Sequence, residues 1–183
     1  KGFTLEGGIR VPFLVQWKGI LPAGKTYDRP VSSLDISAAA LDLAGVAWPK
    51  DLPLDGTNII PYLTGTKTGD PHAALLWRME RRKTWAVRAG DWKLEANKAW
   101  HGIPDGTRTA RLINLADDLA ERQDLRAGNA DKVAELQGTY DTWSANLPKP
   151  LWDGGVEELK GRQESLKQQN QTDPSRSSKK TGQ

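Results

Sequence analysis

The stretch KGFTLEGGIRVPFLVQW (Lys1–Trp17) decides how the rest of the chain is read. It passes through a glycine-punctuated turn at Gly7-Gly8 and then into a nearly unbroken apolar run, Val11 to Trp17. A run of β-branched and aromatic residues with no polar alternation is what a strand covered on both faces of an α/β sheet requires. The opening therefore predicts a buried strand in an α/β layer.

Loop residues follow, and SSLDISAAALDLAG (Ser32–Gly45) then reads as a helix. Ser32 or Ser33 serves as N-cap, Asp35 sits in the first turn against the helix dipole, and Gly45 stops the last turn. Leu34, Ala38, Leu41 and Ala44 share one face. Prolines at 49, 53, 61 and 71, with interspersed Gly, Asp and Asn, predict irregular chain and one short helical turn in NIIPYLTG (Asn58–Gly65). Beyond this seam the texture becomes that of a small antiparallel sheet, in AALLWRM, TWAVRAGDWKLEA and ARLINL, with a hairpin turn at Ala89-Gly90-Asp91. Asn129 is placed to cap a helix over residues 130–146, with Val133, Leu136, Tyr140, Trp143 and Leu147 on one stripe. The stretch VEELKGRQESLKQQNQ (Val156–Gln171) reads as a marginal helix, and the polar residues after it as disordered.

The chain has 183 residues, 37% of them hydrophobic and 27% charged, enough for one domain with a substantial core. No apolar stretch approaches the roughly 18 residues of a spanning helix, since Asp35 and Asp42 interrupt the longest candidate. The formal charge of +3 is unevenly spread. Residues 160–183 hold six basic and two acidic side chains, a net of +4 that leaves −1 for residues 1–159, so neither nucleic acid nor a membrane is the expected partner. There is no cysteine to form a disulfide or a thiolate metal site. His72 and His101 are too few and too far apart for a metal site of their own.

On residue chemistry alone, Lys1 is an ammonium beside a Gly2 turn, suited to an oxyanion as a point charge, though a solvated terminal lysine is the commoner reading. Gly7-Gly8 lets the backbone pass close to a bulky or anionic group. Glu6 and Arg10 suit a structural ion pair, or backbone hydrogen bonds that set the turn, more than substrate contact. His72, Arg78 and His101 flank the small sheet and are candidates to touch a substrate, against ordinary surface or packing roles. Trp77, Trp85 and Trp92 offer ring faces for a sugar, but aromatic residues in strands more often serve the core.

The opening segment resembles the sulfatase family, in the part that follows the last metal ligands. There the recurring pattern is Lys-Gly, two or three residues, Glu-Gly-Gly, one residue, Arg, and then Pro. Lys1, Gly2, Glu6, Gly7, Gly8, Arg10 and Pro12 occupy it. VSSLDISAAALDLAGVAWPKDLPLDGTNIIPYLTG, WAVRAGDWKLE and LINLADDLAERQDL are similar to the passages that follow in that family, so that the likeness runs over about residues 1–147.

This resemblance implies the C-terminal end of an alkaline-phosphatase-like α/β domain over residues 1–70. A subdomain of antiparallel sheet with a packed helix would follow over 71–150, with a polar, basic tail over 151–183. It implies hydrolysis of a sulfate ester to an alcohol and inorganic sulfate by a formylglycine nucleophile and a divalent cation, usually calcium. Lys1 would contact the sulfate, and the small sheet near His72, Arg78 and His101 would border the substrate cleft, so that one of these could touch a sugar or aryl group. The chain has no Cys and no Ser-x-Pro-x-Arg sequence, so the nucleophile and metal ligands are expected upstream, with the N-terminal part of the same polypeptide as partner and this segment binding neither cofactor. A sulfated small molecule or glycan is the implied substrate, and export to the periplasm or beyond is the implied location. A glycan-binding module without catalysis and a phosphoesterase of the same superfamily are the alternatives.

Overall fold

Alternation along four short strands sorts the side chains of the central sheet onto two covered faces. The computed structural model describes residues 3–48, 51, 54–79, 84–96 and 110–148. Strands β1 (Leu75–Met79), β2 (Thr84–Ala89), β3 (Trp92–Ala96) and β4 (Arg111–Asn114) pair in chain order, every pair antiparallel. Ala89 opposes Trp92 across the two-residue loop Gly90-Asp91, where the sequence places its hairpin turn. Val87, Leu94 and Leu112 lie opposite one another and are fully buried, making one apolar face.

That face is closed by α4 (Ala130–Ala145), through buried Leu136 and Tyr140 flanked by Val133 and Trp143, residues of the expected stripe. Trp85 stacks on Tyr140, with ring centroids 4.1 Å apart, and thus serves the core. Asn129 stands at the N-cap, but its side chain does not cap the helix. Its Nδ2 donates instead to the Leu125 carbonyl, 2.7 Å away, fixing the short 3-10 turn Arg126–Gly128 that leads into α4.

The N-terminal part holds three short helices, α1 (Glu6–Ile9), α2 (Leu34–Leu43) and α3 (Ile60–Leu63). Residues 3–146 hold together as one unit. The Glu-Gly-Gly segment, read as a turn, is one turn of helix, and α2 and α3 fall where the sequence puts them. The face of α2 differs from the expected stripe: Ala38, Ala39 and Asp35 are buried, whereas Leu34 and Ala44 are exposed.

Val11 to Trp17 is a correction to the sequence reading. It forms no strand and its side chains are open, with Val11 71% and Leu14 93% exposed. A strand needs a neighbour for its N–H and C=O groups. The four strands among the described residues pair only with one another, leaving Val11–Trp17 without a ladder. The expected helix at Val156–Gln171 and the disordered tail lie outside the described residues.

Two glycines are fixed by steric contact. A Cβ on Gly56 would lie 2.3 Å from the Leu34 carbonyl oxygen, and one on Gly8 would lie 2.3 Å from that of Phe3, while one on Gly7 would meet nothing within 4 Å. The two halves of the Gly-Gly pair are therefore unlike. Gly8→Ala is expected to lower stability by roughly 1–3 kcal/mol in urea unfolding, and Gly7→Ala to stay within about 0.5 kcal/mol of the parent. Equal effects would contradict the packing described.

Candidate functional site

The second face of the sheet is covered too, and it is charged. Because Leu94 points to α4, its neighbours Lys93 and Glu95 point the other way, and both are fully buried. Lys93 Nζ donates to Glu6 Oε1 at 2.9 Å and to Glu121 Oε1 at 2.7 Å. The backbone N–H of Glu6 donates to Glu121 Oε2 at 2.8 Å, and Arg88 Nη1 lies 3.6 Å from Glu6 Oε2. Two cations thus meet two carboxylates. One carboxylate comes from α1 and the other from the loop after β4.

Glu121 has φ 56°, the left-handed region that a side chain with a Cβ adopts at a cost of about 1–2 kcal/mol. Its partners hold it there: Lys93, the Glu6 N–H, and Arg111, whose Nη1 donates to the Glu121 carbonyl at 3.0 Å. Arg111 also pairs with Glu95, whose Oε2 has no hydrogen-bond partner among the described residues. Burial pushes the Glu95 carboxyl above its ordinary value of 4.5, with the Arg111 hydrogen bond and charge pulling against it.

A second buried centre is Asp35. Its carboxylate accepts the Ser32 N–H at 2.7 Å and the Thr57 N–H at 2.8 Å. His72 Nε2 lies 2.9 Å from Oδ1 and 3.0 Å from Oδ2, within hydrogen-bond reach of both. Asp35 therefore does more than oppose the dipole of α2. It clamps the loops at Thr57 and His72 to the start of that helix.

Of the residues singled out in the sequence, His72 is turned to Asp35, and its side chain is only 9% exposed. Arg78 lies on the apolar side of the sheet and donates to the Ser144 carbonyl at 3.3 Å and to Ser144 Oγ at 3.0 Å, tying β1 to the end of α4. Glu6 is in the ion cluster, Gly7 and Gly8 lie in α1, and Arg10 is exposed just after it. Lys1 and His101 lie outside the described residues. The structure thus brings Glu6 together with Lys93 and Glu121, and separates this group from His72 and from Arg78. Lys93 and Glu121 escaped the sequence reading. A Lys and a Glu two apart in WKLE signal one shared face, but that face is ordinarily solvated, and nothing in LADDLAERQDL marks Glu121.

No family model matches the chain. It is 43% identical over 77 residues to an uncharacterized sulfatase of Escherichia coli K12, YdeN, an alignment covering 42% of this chain and 14% of that protein. It is 38% identical over 151 residues to arylsulfatase A of Bos taurus, covering 73% of this chain and 29% of that one. The chain belongs to the sulfatase family. It corresponds to the C-terminal portion of these sulfatases and spans less than a third of the length of either relative. The fold is similar to that of the crystal structure of Ps i-CgsB in complex with k-i-k-neocarrahexaose, with a TM-score of 0.64 and 24% identity over 85% of this chain and 34% of that one. In this sulfatase segment the Glu-Gly-Gly glutamate is anchored inward, on the sheet, by the cluster described above.

The Glu95 environment gives a pH test. With a raised value the folded chain binds this proton more tightly than the unfolded chain does. The preference for the folded state is therefore full below pH 4.5 and is lost as pH rises through 4.5 to the raised value. Glu95→Gln removes that titration. The stability of the parent minus that of Glu95→Gln should fall as pH rises above about 4.5, measured by urea unfolding at each pH. A difference that rises or stays flat would contradict the burial effect.

Proposed function

We propose that this chain is the C-terminal part of an enzyme that hydrolyses a sulfate ester to an alcohol and inorganic sulfate. The observation that carries the reading is the complete Lys-Gly, Glu-Gly-Gly, Arg, Pro pattern in a chain 38% identical to arylsulfatase A over 151 residues. Lys1 stands where the pattern has its sulfate-contacting lysine. Its ammonium would offset negative charge on the sulfate oxygens, an effect that grows as charge develops in the transition state. Residues 1–70 would complete the α/β domain, 71–150 would form the C-terminal subdomain and 151–183 a polar tail.

Calcium and formylglycine, which the family implies, do not fit the residues present. The chain has no Cys and no Ser-x-Pro-x-Arg sequence, and among the described residues no group of three His, Asp or Glu side chains is placed to hold a metal ion. No step is therefore assigned to them here. In this reading the 183-residue chain alone is inactive, and the rest of the catalytic site comes from sequence upstream of Lys1.

The test compares the chain alone with the polypeptide read in frame from upstream of Lys1, using 4-nitrophenyl sulfate and 4-nitrophenyl phosphate. The longer polypeptide should release sulfate, the short chain should not, and Lys1→Ala in the longer one should lower kcat by about 10²–10³. Turnover by the short chain that survives Lys1→Ala would overturn the reading. Preference for the phosphate ester would move the enzyme to the phosphoesterases.

A further inference from the structure

We propose that Lys93 and Glu121 are positioning residues for the sulfate-contacting lysine: through Glu6 they fix the helical turn that Lys1 leads into. The inference rests on the reading of Lys1 just given. Its physical basis is the route of the contacts. Lys93 is fully buried in the middle of β3, with its ammonium shared between Glu6 and Glu121. Glu121 adds a second bond to the same turn by accepting the Glu6 N–H, so α1 is held at both its side chain and its backbone. Within the turn, Gly8 and Ile9 donate to the Leu5 carbonyl and Arg10 to that of Glu6. Gly8 packs against the carbonyl of Phe3, the residue two places after Lys1, closely enough to leave no room for a Cβ.

The arrangement is unlike a surface ion pair. An ammonium with no exposure cannot exchange its partners for water, so its two carboxylates have a defined place. One of the two belongs to the turn. The sheet of the C-terminal subdomain thereby becomes the reference against which the N-terminal segment is set. A reacting group displaced by about 1 Å can lose on the order of 10²-fold in rate, so a residue that touches no substrate can still govern the chemistry.

Two measurements test this. In the full 183-residue chain, hydrogen exchange of the Gly8, Ile9 and Arg10 amides is compared with that of the β2 and β3 amides in the parent, Lys93→Met, Lys93→Arg and Glu121→Gln. Lys93 Nζ and the Glu6 N–H donate to different oxygens of Glu121, so Glu121→Gln in the same geometry sets a donor NH2 against one of these two donors, and it keeps the test open if Lys93→Met does not fold. The turn amides should exchange about 10-fold faster or more, relative to the sheet, in Lys93→Met and Glu121→Gln, with Lys93→Arg closer to the parent. An unchanged ratio in either folded variant would overturn the proposal.

In the longer polypeptide, Lys93→Met and Glu121→Gln should lower kcat for 4-nitrophenyl sulfate by about 10–100-fold per folded enzyme, with partial recovery in Lys93→Arg. If Lys1→Ala abolishes turnover while both variants keep the parent kcat, the positioning role falls and the reading of Lys1 stands. If Lys1→Ala leaves turnover intact, the reading of Lys1 itself falls, and the positioning role with it.

Discussion

The place of α1 depends on one constraint: the ammonium of Lys93 is sealed from water. Several kcal/mol of desolvation would oppose such a charge if it were unpaired. It is offset by two carboxylates 115 positions apart in sequence, Glu6 from α1 and Glu121 from the loop after β4. Neither carboxylate is interchangeable with solvent. Meeting the demand of one side chain therefore brings together α1, the middle of β3 and a loop with a left-handed glutamate.

The sheet consequently works on two different principles at once. On one side, Val87, Leu94 and Leu112 exclude water against Leu136 and Tyr140, a non-directional force that tolerates small shifts. On the other side, Lys93, Arg88 and Glu95 with Arg111 impose distances and directions. Apolar packing supplies the cohesion, and the ionic face supplies the register between distant segments. Asp35 plays a similar part on a smaller scale, gathering Ser32, Thr57 and His72 around the start of α2.

Much of this was legible in the sequence where a signal is local. The four strands, the Gly90-Asp91 turn and, apart from Leu147 beyond the helix end, the stripe of α4 follow from alternation and helical period. Val11–Trp17 carries the composition of an inner strand, but composition cannot supply the neighbouring strand that makes it one. The sequence offers His72 and Arg78 as candidate substrate contacts beside the small sheet. Their partners, buried Asp35 and half-buried Ser144, are 37 and 66 positions away in sequence, a distance over which no spacing rule operates. Lys93 is the sharpest case. Alternation put it opposite Leu94, and only the covering of that second face by α1 and Glu121 turns a solvated lysine into a buried one.

The central claim, that α1 is bound to the sheet through this charge, is most directly tested by a double-mutant cycle on Glu6→Gln and Lys93→Met, read by urea unfolding of the full chain. A coupling energy above about 1.5 kcal/mol is the result this account predicts, as for a pair that shares a buried hydrogen bond. Effects that add to within about 0.3–0.5 kcal/mol would contradict it, because Glu6 and Lys93 would then act independently and the turn would owe its place to other contacts.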